Sequence, residues 1–152
     1  MNTRTAFRLL LIATAATLGA TSVMAQSGPY QFFAVPPCRV VDTRNPVSPN
    51  GGPVLGVGTQ RDFVIKGNCG VPGTAKAVSL NVTITGATTA SFLTLWPTGG
   101  ARPYVSTINF TQNDPALANG AIVGLSPTAN DLSLYNSDGH VHVILDVTGY
   151  FE

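Results

Sequence analysis

Apolar side chains in the most regular parts of this chain recur at every second position, and that period restricts the backbone to extended strands. Between Lys76 and Thr85, Val78, Leu80, Val82 and Ile84 alternate with Ser79, Asn81, Thr83 and Thr85. Successive strand side chains point to opposite faces, so this segment offers one face to a core and the other to water. The same pattern closes the chain. Val141, Val143, Leu145 and Val147 share one face, and His140, His142, Ile144 and Asp146 share the other. Gly and Pro interrupt the sequence about every eight to twelve residues, and nothing in the body of the chain repeats with the period of a helix.

Shorter strands are expected at Ser91–Trp96, Tyr104–Phe110, Gly120–Leu125 and Asp131–Tyr135, with others upstream at Gln31–Val35, Arg39–Asp42 and Gln60–Lys66. Turn-forming clusters separate them: Asn50-Gly51-Gly52-Pro53, Gly70-Val71-Pro72-Gly73, Pro97-Thr98-Gly99-Gly100 and Asn136-Ser137-Asp138-Gly139. The expected fold is all-β, a two-sheet sandwich of jelly-roll type with about eight or nine strands; a closed β-barrel is the alternative. There is no internal repeat and no interdomain linker.

The N-terminus follows different rules. Arg4 and Arg8 precede an apolar run that begins at Leu9 and ends near Val23, and Val23-Met24-Ala25 has the small residues of a cleavage site. Residues 1–25 therefore read as a signal peptide, with cleavage before Gln26. The run is too short, and too diluted by Thr14, Thr17, Thr21 and Ser22, for a membrane span. No cysteine follows the cut to carry a lipid. Residues 26–152 are expected to form one exported all-β domain, secreted or held at the cell surface, with the periplasm also open. Loss of Arg4 and Arg8 leaves six Lys and Arg against seven Asp and Glu, a formal charge of −1. Scattered cations on a near-neutral surface give no footprint for nucleic acid.

Cys38 and Cys69 both lie in the exported part. In an oxidising compartment such a pair is most simply one disulfide, here bracketing the Pro/Gly-rich stretch Asn45–Gly58. A pair of thiolate metal ligands is the other reading, but no further Cys or nearby His completes such a site.

Four segments form a recognisable set: Pro37-Cys38-Arg39-Val40-Val41-Asp42-Thr43-Arg44, Ala77-Val78-Ser79-Leu80-Asn81-Val82-Thr83, Leu95-Trp96-Pro97 with Arg102-Pro103, and His142-Val143-Ile144-Leu145-Asp146-Val147-Thr148-Gly149-Tyr150-Phe151. The set resembles a widespread, poorly characterised family of secreted bacterial β-domains, marked by a P-x-R-x-x-D-T-R opening and a D-V-x-G-Y-F close. Members occur alone or beside hydrolase and other surface modules. The resemblance spans nearly all of residues 26–152 and implies an extracellular β-domain, with no settled activity and no catalytic residue.

Asp42 and Arg44 stand two apart, as strand neighbours on one face would, and Asp146 near the end is available to meet them. A polar cluster of Asp42, Arg44 and Asp146 is expected to tie the first motif to the last, since a guanidinium can hold a carboxylate by two parallel bonds. Separate solvation of each charge is the alternative.

Chemistry is sparsely written. His140 and His142 on one strand face, with Asp146, make a weak candidate zinc half-site. The only glutamate is the terminal Glu152, and no G-x-S-x-G elbow exists. Neither a carboxylate pair nor a nucleophile triad is legible, so the chain is read as non-catalytic and without a cofactor. Asn130-Asp131 and Asn136-Ser137-Asp138-Gly139 could hold calcium, but turns have the same composition. Asn81 and Asn109 match the glycosylation sequon and are read as ordinary strand residues.

Trp96, Tyr104 and Tyr135 fall near turns, where flat rings could stack on sugars while Arg102 supplies hydrogen bonds; packing of Trp96 in the core or rim competes with that role. The expected function is a structural or interaction domain outside the cell, presenting loops to another protein or pairing its edges with copies of itself. A carbohydrate-binding module using the surface aromatics is the second reading, and a metal-dependent hydrolase a distant third. The partner is thus an unidentified protein or a surface polysaccharide.

Overall fold

The computed structural model describes residues 28–152, so the expected leader at residues 1–25 lies outside the described residues. Eight strands follow in order: β1 Phe32–Asp42, β2 Thr59–Phe63, β3 Ala77–Thr85, β4 Ser91–Pro97, β5 Ile108–Phe110, β6 Ala116–Gly124, β7 Leu132–Asn136 and β8 His142–Phe151. Among the described residues no helix is long and apolar enough to cross a membrane.

The strands form two antiparallel sheets, ordered β1-β8-β3-β6 and β2-β7-β4-β5. β1 pairs with β8, β2 with β7, β3 with β6 and β4 with β5. That nesting is what results when a chain doubles back between β4 and β5 and the resulting ribbon rolls up, which is the jelly-roll form of a sandwich. Each sheet keeps two edges, β1 and β6 in the first and β2 and β5 in the second, so neither closes into a barrel.

The alternation read from β3 explains why the sheets stack. Val78, Leu80, Val82 and Ile84 of β3 and Val143, Leu145 and Val147 of β8 are buried. They meet Phe63, Leu93, Leu95, Leu132 and Leu134 from the second sheet in one continuous core. Each such side chain contributes about 1.5–3 kcal/mol by leaving water, and a one-residue slip would turn the whole set outward.

Several expected segments differ in extent: β2 ends at Phe63 and not at the expected Lys66, and β6 begins at Ala116, four residues before the expected Gly120. Gln31–Val35 and Arg39–Asp42 are one strand, β1, whose pairing with β8 shifts register between Ala34 and Cys38 and again between Arg39 and Val41. Pro36 and Pro37 fall within the first shift, where they have no N–H to give to a ladder. The expected Tyr104–Phe110 strand is reduced to Ile108–Phe110. The residues before it are drawn over the second sheet, where Thr94 Oγ1 donates to the Val105 carbonyl (2.6 Å) and the Leu95 N–H donates to Thr107 Oγ1 (3.1 Å).

Cys38 and Cys69 form a disulfide, with Cα atoms 5.5 Å apart. It ties edge strand β1 of the first sheet to the connection that leaves β2 of the second. The Pro/Gly stretch Asn45–Gly58 is held from within. Arg61 of β2 donates to the carbonyls of Gly51 (2.9 Å), Pro53 (2.8 Å), Gly52 (3.3 Å) and Ser48 (3.4 Å). Asn50 exchanges two hydrogen bonds with the Val64 backbone.

Candidate functional site

The outer face of the second sheet carries aromatic side chains that line a cleft. Tyr135 on β7 stands opposite Thr94 on β4 in the ladder, and Phe92 lies two residues back on β4. The Phe92 and Tyr135 rings are 6.4 Å apart and tilted. Over them folds the segment after β4, which places the Arg102 guanidinium 3.7 Å from the centroid of the Tyr135 ring. Such stacking suits a cation whose charge is spread over a plane. Tyr104 projects fully into solvent beside it. Phe92, Arg102, Pro103, Tyr104, Val105 and Asn109 line an open cleft of about 360 Å³.

Trp96 does not offer its ring to this cleft. It is 4% exposed, on the outer face of β4, and its Nε1–H donates to the Gly100 carbonyl (3.0 Å). The indole therefore packs beneath the Pro97–Arg102 turn and supports the loop that carries Arg102 and Tyr104. This corrects its place among the candidate sugar contacts: a ring covered by its own loop has no face left for a ligand. Phe92 is the contributor that sequence reasoning passed over. Its position in an alternating strand marks it as outward-facing, and only the register between β4 and β7 brings it beside Tyr135.

The polar residues of the first and last motifs meet on the first sheet, with a wiring that includes Arg39. Arg39 stands opposite Asp146 between β1 and β8 and holds it through two bonds, Nε to Oδ1 (2.8 Å) and Nη2 to Oδ2 (3.2 Å). Arg44 grips Asp42 in the same way (2.8 and 2.7 Å). Arg39 Nη1, 3.5 Å from Asp42 Oδ2, joins the two pairs. Asp146 thus reaches Asp42 and Arg44 only through Arg39. Asp42 is 6% exposed, and its carboxyl titrates at about 2, below the ordinary 3.8, mainly because Arg44 hydrogen-bonds its ionised form. Both guanidiniums are held more firmly protonated by the carboxylates they bind.

His140 and His142 are not strand neighbours. His140 lies in the turn before β8, where its N–H donates to Thr88 Oγ1 (2.8 Å). His142 opens β8 with Nδ1 3.2 Å from Thr43 Oγ1, and the Asp146 carboxylate belongs to Arg39. Among the described residues no group of three or more His, Cys, Asp or Glu is arranged to hold a metal ion. Asn136 and Asp131, weighed as calcium donors, serve the backbone. The Asn136 amide donates to the carbonyls of Gly56, Asp138 and Gly139, each at 3.0 Å. Asp131 is turned inward, where it accepts from the N–H groups of Ile65 (2.9 Å) and Lys66 (2.6 Å).

No protein-family model matches the chain, and neither does any curated protein.

Proposed function

We propose that this chain is a non-catalytic binding domain that works outside the cell, and that its ligand site is the cleft on the second sheet. The observation that carries the proposal is the pairing of a fully exposed Tyr104 with an Arg102 guanidinium already fixed on Tyr135. An exposed ring gives a ligand a flat apolar surface. A stacked guanidinium keeps its remaining N–H groups directed outward at little entropic cost. Together they fit the two sides of a pyranose, whose C–H face stacks on an aromatic and whose hydroxyls accept from a guanidinium. A surface polysaccharide is accordingly the partner class.

The non-catalytic part of the proposal rests on how the acids are spent. Asp42 and Asp146 are in the arginine network, and Asp131 binds buried backbone N–H groups. Asp62 accepts from Ser133 and Gln60, Asp114 from Thr111, and Asp138 from the N–H of Gly139. Each of these carboxylates already has a donor within the fold. The disulfide supports placement in an oxidising compartment.

A glycan array followed by titration calorimetry tests this reading. The exported protein should bind a polysaccharide fragment, and Tyr104→Ala and Arg102→Ala should each weaken binding by about tenfold or more. Tyr104 touches too little to matter for folding, so unfolding of that variant should match wild type. Absence of saccharide binding by wild type, or binding indifferent to Tyr104→Ala, refutes the proposal.

A further inference from the structure

Three of the four sheet edges carry features that discourage another strand from pairing with them. β1 has Pro36, Pro37 and two register shifts. β2 is five residues long and includes Arg61 and Asp62, and β5 has only three residues. Prolines, bulges, charges and short length are the usual protections of an exposed edge.

β6 has none of these. It runs nine residues, Ala116–Gly124, without a charged side chain or proline, and pairs with β3 in unbroken register. Six of the nine residues are exposed. Ile122 is 68% exposed on the outer face, opposite Ser79. Among the described residues β6 has β3 as its only strand partner, so its far side offers a row of backbone groups for pairing.

We propose that β6 is a homotypic pairing edge, joining a second copy of this chain into one continuous antiparallel sheet through β6 of each. The sequence of the strand favours its own copy over other partners. With a two-fold axis at Gly120, outer-face Ala118 meets Ile122 of the second copy, and inner-face Leu117 meets Val123 of the second copy. Small thus opposes large on the outer face; on the inner face Leu117 faces Val123, while Asn119, whose amide donates to the Thr107 carbonyl (2.7 Å), faces the small Ala121. Gly120 at the axis meets itself without side-chain conflict, and no like charges are brought together. An isologous contact of this kind closes on two subunits and leaves no new edge of β6 for further growth.

Sedimentation velocity on protein expressed with its own leader and purified from the exported fraction tests the proposal. Wild type should dimerise with a dissociation constant in the micromolar range. The double variant Ala118→Lys, Ile122→Lys, placing Lys against Lys at both outer-face pairs, should raise that constant by at least about tenfold. So should Ala118→Asp, Ile122→Asp. An equimolar mixture of the Lys and Asp variants should recover a dimer, which two misfolded proteins could not do. A wild type that stays monomeric at about 1 mM, a Lys variant that dimerises like wild type, a mixture that does not associate, or association only with a different protein would overturn it. These outcomes are independent of saccharide binding at the cleft.

Discussion

Replacing Asp131 probes the least obvious support of the fold. This residue is 1% exposed. Its carboxylate accepts from the N–H groups of Ile65 and Lys66, its own N–H donates to Phe63 (3.1 Å), and its carbonyl accepts from Ser126 (2.9 Å). It therefore holds the chain as it leaves β2 and fixes the start of β7. Asp131→Ala strips two backbone N–H groups of their acceptor. Hydrogen bonds to a charged acceptor are worth about 1.5–3 kcal/mol each, and an orphaned buried donor costs a similar amount. The Ile65 N–H lies against a fully buried side chain and bears that cost in full, whereas Lys66 is half-buried and recovers part of it from water. The expected loss is about 3–4 kcal/mol, or about 12–16 °C in the melting temperature of a domain this size. Asp131→Asn keeps one oxygen for one N–H and should cost about 2 kcal/mol. Urea denaturation at neutral pH, checked by calorimetry, measures both. A loss below about 1 kcal/mol for Asp131→Ala would refute the reasoning.

Further expectations follow from the same geometry. The double variant Cys38→Ser, Cys69→Ser opens a loop spanning 31 positions and should cost about 4 kcal/mol in denaturant unfolding, through the freedom returned to the unfolded chain. Asp42 titrates near 2 when folded and near 3.8 otherwise, so its contribution is complete above about pH 4 and lost as the pH falls through 2. Solvent screening of the half-exposed guanidiniums limits that contribution, and wild type should lose about 1 kcal/mol more than Asp42→Asn over this interval in parallel acid titrations of stability. Trp96→Ala should cost about 3 kcal/mol and weaken saccharide binding by loosening the loop above it, whereas Trp96→Phe should retain most of both.

The sequence exposes what depends on short-range periodicity and hides what depends on register. β3 and β8 are legible because their alternation is intact and their inner faces are wholly apolar. The disulfide is legible because only two cysteines exist and both lie beyond the expected leader. Arg39 escapes notice because the register shift between Arg39 and Val41 breaks the face relation that simple alternation implies, and the pairing that sets Arg39 against Asp146 spans 107 positions. Asp42 and Arg44 do meet, but not as strand neighbours: β1 ends at Asp42, and Arg44 reaches back from the turn beyond it. Asn130-Asp131 has the composition of an exposed turn, and nothing local reveals that Asp131 points inward at a backbone 65 positions earlier. The aromatic cleft is half legible. Its rings stand where strands meet turns, but which ring is covered and which is open depends on the path of the 98–107 segment.

The proposed edge and the proposed cleft bear on each other through symmetry. A two-fold axis that pairs β6 with its copy in one sheet must stand perpendicular to that sheet, because only then do outer-face residues meet outer-face residues. It follows that the second sheets of both copies lie on the same side of the joined sheet, and that both clefts open toward that side. Such a dimer presents two saccharide sites to one surface. Binding the second site becomes intramolecular, which raises avidity for a polysaccharide by about 10²–10⁴ without any new contact. A short oligosaccharide that spans one cleft gains nothing from this. The Ala118→Lys, Ile122→Lys variant should therefore bind a short fragment as wild type does in calorimetry, yet dissociate at least tenfold faster from an immobilised polysaccharide. Equal loss on both ligands would mean that the edge substitutions disturb the cleft itself. Equal retention on both would mean that the two clefts of a dimer do not engage one surface together.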